Sequence, residues 1–375
     1  MLRRIGIDAR FLLANPRSAH AALLWELLSY NLARPFPSVF VLYTNAENDD
    51  IGTLAARNVE ICYVPQRFGT SDLLWLNGPV SKQIARDGLS TYVSCFYKIP
   101  LACSAFTVNM VHDTAFFDVS PERLAGKHRS RSYRIALWCS LRLHCARASR
   151  VITVSNYSRG KLVRHLHVPQ SKVTVCYNAV SREFFAASGH VKMKLGLPKE
   201  YCLFVGSAQA KKNIDGMLRA FSMLPKALRK QVPLVLRSSP GTEISALIDR
   251  LGLPDEVVII QSHLDEADHC GLIRNASLVV LLSFDEGFGL PVAEAMAAGV
   301  PVLTSSEGAL PEIADQLGGN HRPDSLVDIS RSWEVILGDL RLREELSNAG
   351  REVARRYHPD VVVPRFFELI STTQK

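Results

Sequence analysis

Two doubly wound α/β domains in tandem are what this sequence predicts, and three observations carry the prediction. Its 375 residues exceed what one hydrophobic core usually organises. Short β-branched runs recur with helical segments between them, which is the sequence form of parallel βαβ units. The rhythm stops once, between Ser181 and Glu200, where a polar stretch is interrupted by Gly189, Gly196 and Pro198, and then it restarts.

The elements follow in order. In the first half, strands are expected at Ile5 to Asp8, Val39 to Tyr43, Val59 to Val64, Thr91 to Cys95, Thr107 to Val111, Val151 to Ser155 and Val173 to Tyr177. In the second they are expected at Cys202 to Val205, Leu234 to Arg237, Val257 to Ile260, Leu278 to Leu282 and Val300 to Thr304. The last 40 residues read as two helices, Ile336 to Arg356 and, after His358 and Pro359, Val361 to Ile370. Residues 1–180 are thus the first domain, 181–200 a linker, 201–357 the second domain and 358–375 a terminal helix.

Composition narrows the class. Hydrophobic residues make up 47% and charged residues 21%, a globular balance that excludes disorder as the default. No stretch approaches the roughly 20 apolar residues that cross a bilayer, and the Met-Leu-Arg-Arg start lacks the features of a signal peptide. A cytoplasmic location is expected. The eight cysteines are scattered and lack a C-x-x-C pair, so buried, reduced thiols are expected rather than disulfides or zinc. The net charge of +8 is uneven: residues 1–180 hold 22 Lys+Arg against 11 Asp+Glu, and residues 181–375 hold 22 against 25. That asymmetry points to an anionic partner, a membrane surface or a phosphorylated substrate, with nucleic acid as the competing reading.

The chemistry concentrates between Leu281 and Pro311, LLSFDEGFGLPVAEAMAAGVPVLTSSEGALP. An apolar strand ends at Ser283, Gly287 and Gly289 permit a tight turn, and Pro291 suits the first helical position because its missing N–H would be unpaired there. The helix should end near Gly299, with Pro301 blocking continuation. Glu286 then lies on the loop before the helix and Glu294 in its first turn. Both carboxylates face a crevice at the carboxyl end of a parallel strand, where open sheets bind ligands. Free N–H groups at Gly289 to Val292 and the positive helix end would attract a diphosphate. An ionised carboxylate accepts only, so Glu286 suits sugar hydroxyls and Glu294 a vicinal ribose diol. The plainer reading is that Glu294 complements the helix dipole and Glu286 caps a turn.

This segment resembles the E-x7-E signature of the large retaining GT-B glycosyltransferase family, which includes bacterial mannosyl-, glucosyl- and rhamnosyltransferases. The likeness includes the words EGFGLP, EAMAAGVPV and LPEIA around the two glutamates. It extends to Leu203 to Asn213 (LFVGSAQAKKN), Val111 to Asp113, Val154 to Ser158 (VSNYS) and Val175 to Val180 (VCYNAV). The resemblance implies a GT-B fold, two Rossmann-like domains facing across a cleft, with the final helix crossing back to the first. It implies catalytic roles for His112 and Glu286 at the donor sugar. Donor binding falls to Gly206, Lys211, Lys212, Gly287, Phe288, Gly289, Leu290 and Glu294, and Asp113, Ser155 and Asn178 are placed near the cleft. No metal and no cofactor are implied beyond the nucleotide sugar as co-substrate.

Two positions depart from the family pattern. The turn after the first strand, Asn15 to Ala22, contains no glycine, and Ser207 stands where many relatives have arginine; Lys211 would supply that charge. A nicotinamide dehydrogenase is excluded because no G-x-G-x-x-G follows the first strand, and no P-loop motif occurs. The Arg-rich stretch Glu122 to Arg150 lacks the aromatic platform of single-strand nucleic-acid binders. The expectation is transfer of a hexose, narrowly mannose from GDP-mannose, to a glycan or lipid-linked glycan in surface polysaccharide synthesis. Arg123 to Arg150 would contact an anionic membrane from the cytoplasmic side. A catalytically idle homologue that binds nucleotide sugar or a partner, and a GT-B sugar-nucleotide epimerase, remain the alternatives.

Overall fold

The computed structural model describes residues 2–10, 12, 21–45, 57–66, 71–112, 114, 117–118, 120, 130–186, 196–239, 241–262, 264–319 and 321–372. Its contacts divide it into two compact units. Unit one takes Met1–Thr114, Arg131–Ala179 and Pro359–Lys375, and unit two is built on Val180–His358.

Unit one is a seven-stranded parallel sheet of β1 (Arg3–Asp8), β2 (Ser38–Thr44), β3 (Val59–Tyr63), β4 (Thr91–Ser94), β5 (Phe106–Val111), β6 (Arg150–Thr153) and β7 (Val173–Val175), in the order β3-β2-β1-β4-β5-β6-β7. A parallel sheet is covered on both faces, which demands apolar residues at successive positions rather than alternate ones. β4 accordingly is buried at all four residues. One face packs Leu24, Leu27 and Leu28 of the helix Ala22–Ala33 into the core that contains Ile5 and Ile7. The other gathers Tyr43, Trp75, Leu76, Ile84 and Tyr92, and the Trp75 indole donates to the Val64 carbonyl at 2.8 Å.

The last described helix, Pro359–Ser371, belongs to unit one. Val363, Phe366 and Ile370, spaced three and four apart, form its inward stripe and join the core with Ile5 and Leu28. Arg3 and Arg150 donate to the carbonyls of Ser371 and Leu369, so two cations meet the negative end of the helix.

Unit two is a five-stranded parallel sheet of β8 (Cys202–Val205), β9 (Leu234–Arg237), β10 (Val257–Ile260), β11 (Leu278–Leu281) and β12 (Val302–Thr304), in the order β10-β9-β8-β11-β12. All twelve strands lie within two residues of their expected ends. Three expectations differ. The helix expected over Ile336 to Arg356 is two helices, Leu326–Gly338 and Leu340–Ala354, because Asp339 leaves helical geometry and its carboxylate caps the Leu342 N–H at 3.0 Å. Of the stretch expected as linker, Arg182–Phe185 forms a short helix within unit two, while residues 187–195 lie outside the described residues. All eight cysteines are free thiols, but Cys139 is exposed and Cys62 and Cys103 are half-buried.

Candidate functional site

In an open parallel sheet the strand order reverses at one place, and the crevice there collects ligands at the carboxyl ends. In unit two the reversal lies between β8 and β11. The Lys211-Lys212 turn follows the first of these strands and Glu286 the second. Gly206 closes β8, its N–H donating to Arg237 O at 3.2 Å, and a 3-10 turn at Ala210–Lys212 leads to Asn213 at φ 55°. Asn213 accounts for that conformation. Its Oδ1 caps the next helix at the Gly216 N–H (3.2 Å), and its Nδ2 donates to Leu282 O (3.1 Å) and Pro323 O (2.9 Å). The Lys211 carbonyl accepts from Phe284 N at 2.8 Å. The lysine turn is thus pinned to the end of β11.

Lys212 Nζ donates to Glu286 Oε1 at 2.5 Å, and Ser283 Oγ donates to the same oxygen at 2.7 Å. The pair is largely sheltered, with side chains 16% and 9% exposed. The Glu286 backbone is held too: its carbonyl accepts from Ala309 N at 2.9 Å. Gly308, at φ 69°, makes this approach possible, since a Cβ there would stand 2.5 Å from Glu286 N. The plainer reading of Glu286 as a turn cap is only half met, because its carboxylate engages a cation as well as a hydroxyl. Lys211, by contrast, is buried.

After Gly287, the helix runs Leu290–Ala298. Gly289 precedes it at φ 89°, where a Cβ would meet Leu310 Cδ2 at 2.6 Å, so both backbone and packing require glycine. Phe288 is buried with its ring edge on Tyr357 at 5.4 Å between centroids, and Leu290 is half-buried. Two expectations are corrected. The Val292 N–H is not free, because it donates to Gly289 O at 2.9 Å. Glu294 is the fifth residue of the helix and lies beyond the first turn, because the helix begins at Leu290, one residue earlier than Pro291. Glu294 Oε2 lies 3.3 Å from His269 Nε2.

The remaining candidates stand in unit one at the carboxyl ends of β5, β6 and β7. His112 follows β5 and is buried. Ser155 is the N-cap of the helix Asn156–Leu166, accepting from Ser158 N at 3.0 Å, which is a structural role. Asn178 is 1% exposed, and neither of its side-chain polar atoms has a hydrogen-bond partner among the described residues. Asp113, residues 15–20 of the glycine-free turn and residues 123–129 of the basic stretch lie outside the described residues. The rest of that stretch includes the helix Arg131–Arg147. Of the apolar residues on this helix, Leu141 is buried and the Trp138 indole donates to His165 O at 2.9 Å. Ile135 and Leu143 face solvent instead, 54% and 46% exposed.

Three residues of the unit-two arrangement escape the sequence reading. Ser283 sits three residues before Glu286 and was visible as the end of the strand. Gly308 was visible only as a glycine in SSEGALP. His269 gave no signal, since its link to Glu294 spans 25 residues.

Residues 190–353 match the family described as glycosyl transferases group 1, and residues 89–184 match glycosyltransferase family 4. The chain is 31% identical over 218 residues to O-antigen chain mannosyltransferase B of Escherichia coli, covering 56% of this chain and 57% of that one. It is 30% identical over 210 residues to the serotype-specific mannosyltransferase WbdA of Escherichia coli, covering 53% and 26%. The chain thus spans between about a quarter and just over half of the length of these relatives. Among solved structures, WaaG, a glycosyltransferase involved in lipopolysaccharide biosynthesis, superposes with a TM-score of 0.73 at 18% identity, covering 98% of this chain and 99% of that one. Anabaena Alr3699/HepE in complex with UDP and glucose gives 0.72 at 18% identity, covering 99% and 100%.

Proposed function

Residues 190–353 match the group 1 glycosyltransferase family and the fold is that of the GT-B glycosyltransferases, and from that premise we propose that the chain transfers a hexose from a nucleoside-diphosphate sugar to a hydroxyl group, with retention at the anomeric carbon. The observation that carries the reading is the Lys212–Glu286 pair at the strand reversal of unit two, directly ahead of a helix N-terminus. An ammonium has three N–H donors. One of Lys212's is on Glu286, so two remain for diphosphate oxygens, joined by the amides of Gly289 and Leu290 at the positive helix end. Glu286 keeps Oε2 for a sugar hydroxyl, and Glu294 keeps Oε1 for the ribose.

These donors stabilise the charge that grows on the leaving diphosphate. As the bond from the anomeric carbon to the diphosphate oxygen breaks, the acceptor oxygen bonds to the same face, and a diphosphate oxygen takes the acceptor's proton. Positive charge comes from Lys212, with Lys211 nearby in sequence, so the reaction proceeds without a divalent cation. His112 keeps the role that the resemblance implies at the donor sugar. The names of the relatives from Escherichia coli, an O-antigen chain mannosyltransferase and a serotype-specific mannosyltransferase, support mannose as the sugar; GDP-mannose as donor and a growing surface polysaccharide as acceptor complete the proposal.

Labelled GDP-mannose, incubated with a lipid-linked glycan acceptor and EDTA, tests this. Transfer is expected, and Glu286→Gln should lower it about 100-fold or more, the scale of losing one preorganised polar contact. A strict requirement for manganese or magnesium overturns the metal-free mechanism. Epimerised nucleotide sugar without transfer identifies an epimerase, and binding with neither outcome identifies an idle homologue.

A further inference from the structure

Glu294 has a partner that the reaction above leaves unused. His269, on the helix Glu266–Arg274, places Nε2 at 3.3 Å from Glu294 Oε2, with side chains 19% and 11% exposed. The ring is also held by buried Phe184, which meets it edge-on at 5.9 Å between centroids. Phe184 is itself fixed by ties between its short helix and the His269 helix. Ser181 Oγ donates to Glu266 Oε1 at 2.8 Å, and the Arg274 guanidinium donates to the Glu183 carbonyl. A glutamate side chain samples several rotamers unless something selects one. Here a packed imidazole selects it before any ligand arrives, and among the described residues no donor is bonded to Oε1.

We propose that His269 is a positioning residue for the donor's ribose: by holding Oε2 it aims the Glu294 carboxylate at the vicinal diol, and so sets the preference for a ribonucleotide over its 2′-deoxy form. The inference rests on the reading of Glu294 as the ribose contact. It is independent of the sugar transferred and of the acceptor. A carboxylate free to rotate loses part of its hydrogen bonding to the diol at each encounter, whereas the contacts to diphosphate are untouched. The loss therefore falls on the hydroxyl-dependent part of the affinity alone, and a group whose role is only to support the fold would weaken every nucleotide alike.

The test is calorimetric titration of the full chain with GDP and with 2′-deoxy-GDP. The unaltered protein should prefer GDP by about tenfold or more, the scale of a hydrogen bond to a charged acceptor. His269→Ala should weaken GDP about tenfold while leaving 2′-deoxy-GDP within about twofold, and His269→Gln, which retains a donor near Nε2, should restore the preference. In turnover, His269→Ala should raise the donor KM with kcat little changed. An unchanged preference in His269→Ala, or equal weakening of both nucleotides, overturns the proposal. The reading beneath it fails differently, and in the unaltered protein: no binding of either nucleotide removes the donor site, and equal binding of the two removes the ribose role of Glu294.

Discussion

Lys212 and Glu286 are bonded to one another, and this changes how their substitutions should be read. Removing the lysine strands a sheltered carboxylate, and removing the carboxylate frees the lysine, so each single change alters the other residue. The two should therefore be non-additive: Lys212→Ala combined with Glu286→Gln should cost less in kcat/KM than the product of the separate losses. Independent effects in a double-mutant cycle would show that the pair does not work as a unit. Lys211→Ala should raise the donor KM with kcat little changed, which steady-state kinetics across donor concentrations would check. A second residue-scale effect lies away from the site. Burial, with repulsion from Lys98 added, pulls the His144 imidazole down to about 4, while its Nδ1 accepts the Ile99 N–H at 3.2 Å. The unfolded chain therefore takes up this proton first as pH falls below about 6.5. Stability from neutral His144 is complete near pH 7 and is lost between about pH 6.5 and 4. Urea midpoints across that range should fall less steeply in His144→Gln than in the unaltered protein.

At the scale of elements, the strands were legible because each is a short β-branched run bounded by turn residues, and parallel sheets need such runs. The loop and helix around Glu286 and Glu294 were legible for a related reason: Gly289, Pro291 and Gly299 each mark a backbone constraint that only a few residues satisfy. What stayed hidden depends on contacts distant in sequence. Periodicity ran through Gly338 and Asp339, where a side-chain cap ends one helix and starts another, and a one-residue shift at Leu290 moved Glu294 out of the first turn. The His269–Glu294 contact joins two helices and has no pattern at all. The helix Arg131–Arg147 carries its own prediction. No Asp or Glu occurs from Arg123 to Arg182, and Ile135, Leu143, Arg131, Arg142 and Arg147 of this helix are all exposed. They support the proposed contact with anionic lipid, each cation being worth about 1 kcal/mol at such a surface. Replacing Arg131, Arg142 and Arg147 by glutamate should abolish co-sedimentation with phosphatidylglycerol vesicles at low salt; equal sedimentation of variant and unaltered protein would assign the helix a purely structural face.

For the molecule as a whole, the functional assignment rests on unit two, where the site residues meet at a strand reversal, and the family match over residues 190–353 covers that same unit. Among the described residues no helix is long and apolar enough to cross a membrane. Unit one is assembled from separate stretches of chain, and its core receives Val363, Phe366 and Ile370 only from the helix Pro359–Ser371. Fully burying side chains of this kind stabilises by about 1.5–3 kcal/mol each, a large share of the margin by which a domain stays folded. The order of synthesis therefore inverts the order of completion. On the ribosome, the strands of residues 1–179 must wait with an open apolar face while residues 180–358 emerge and close their own sheet, and their core is complete only once residues 359–371 follow. Nascent chains stalled just before Pro359 should leave the early strands open to protease and bound by chaperones, whereas chains released after Ser371 should not.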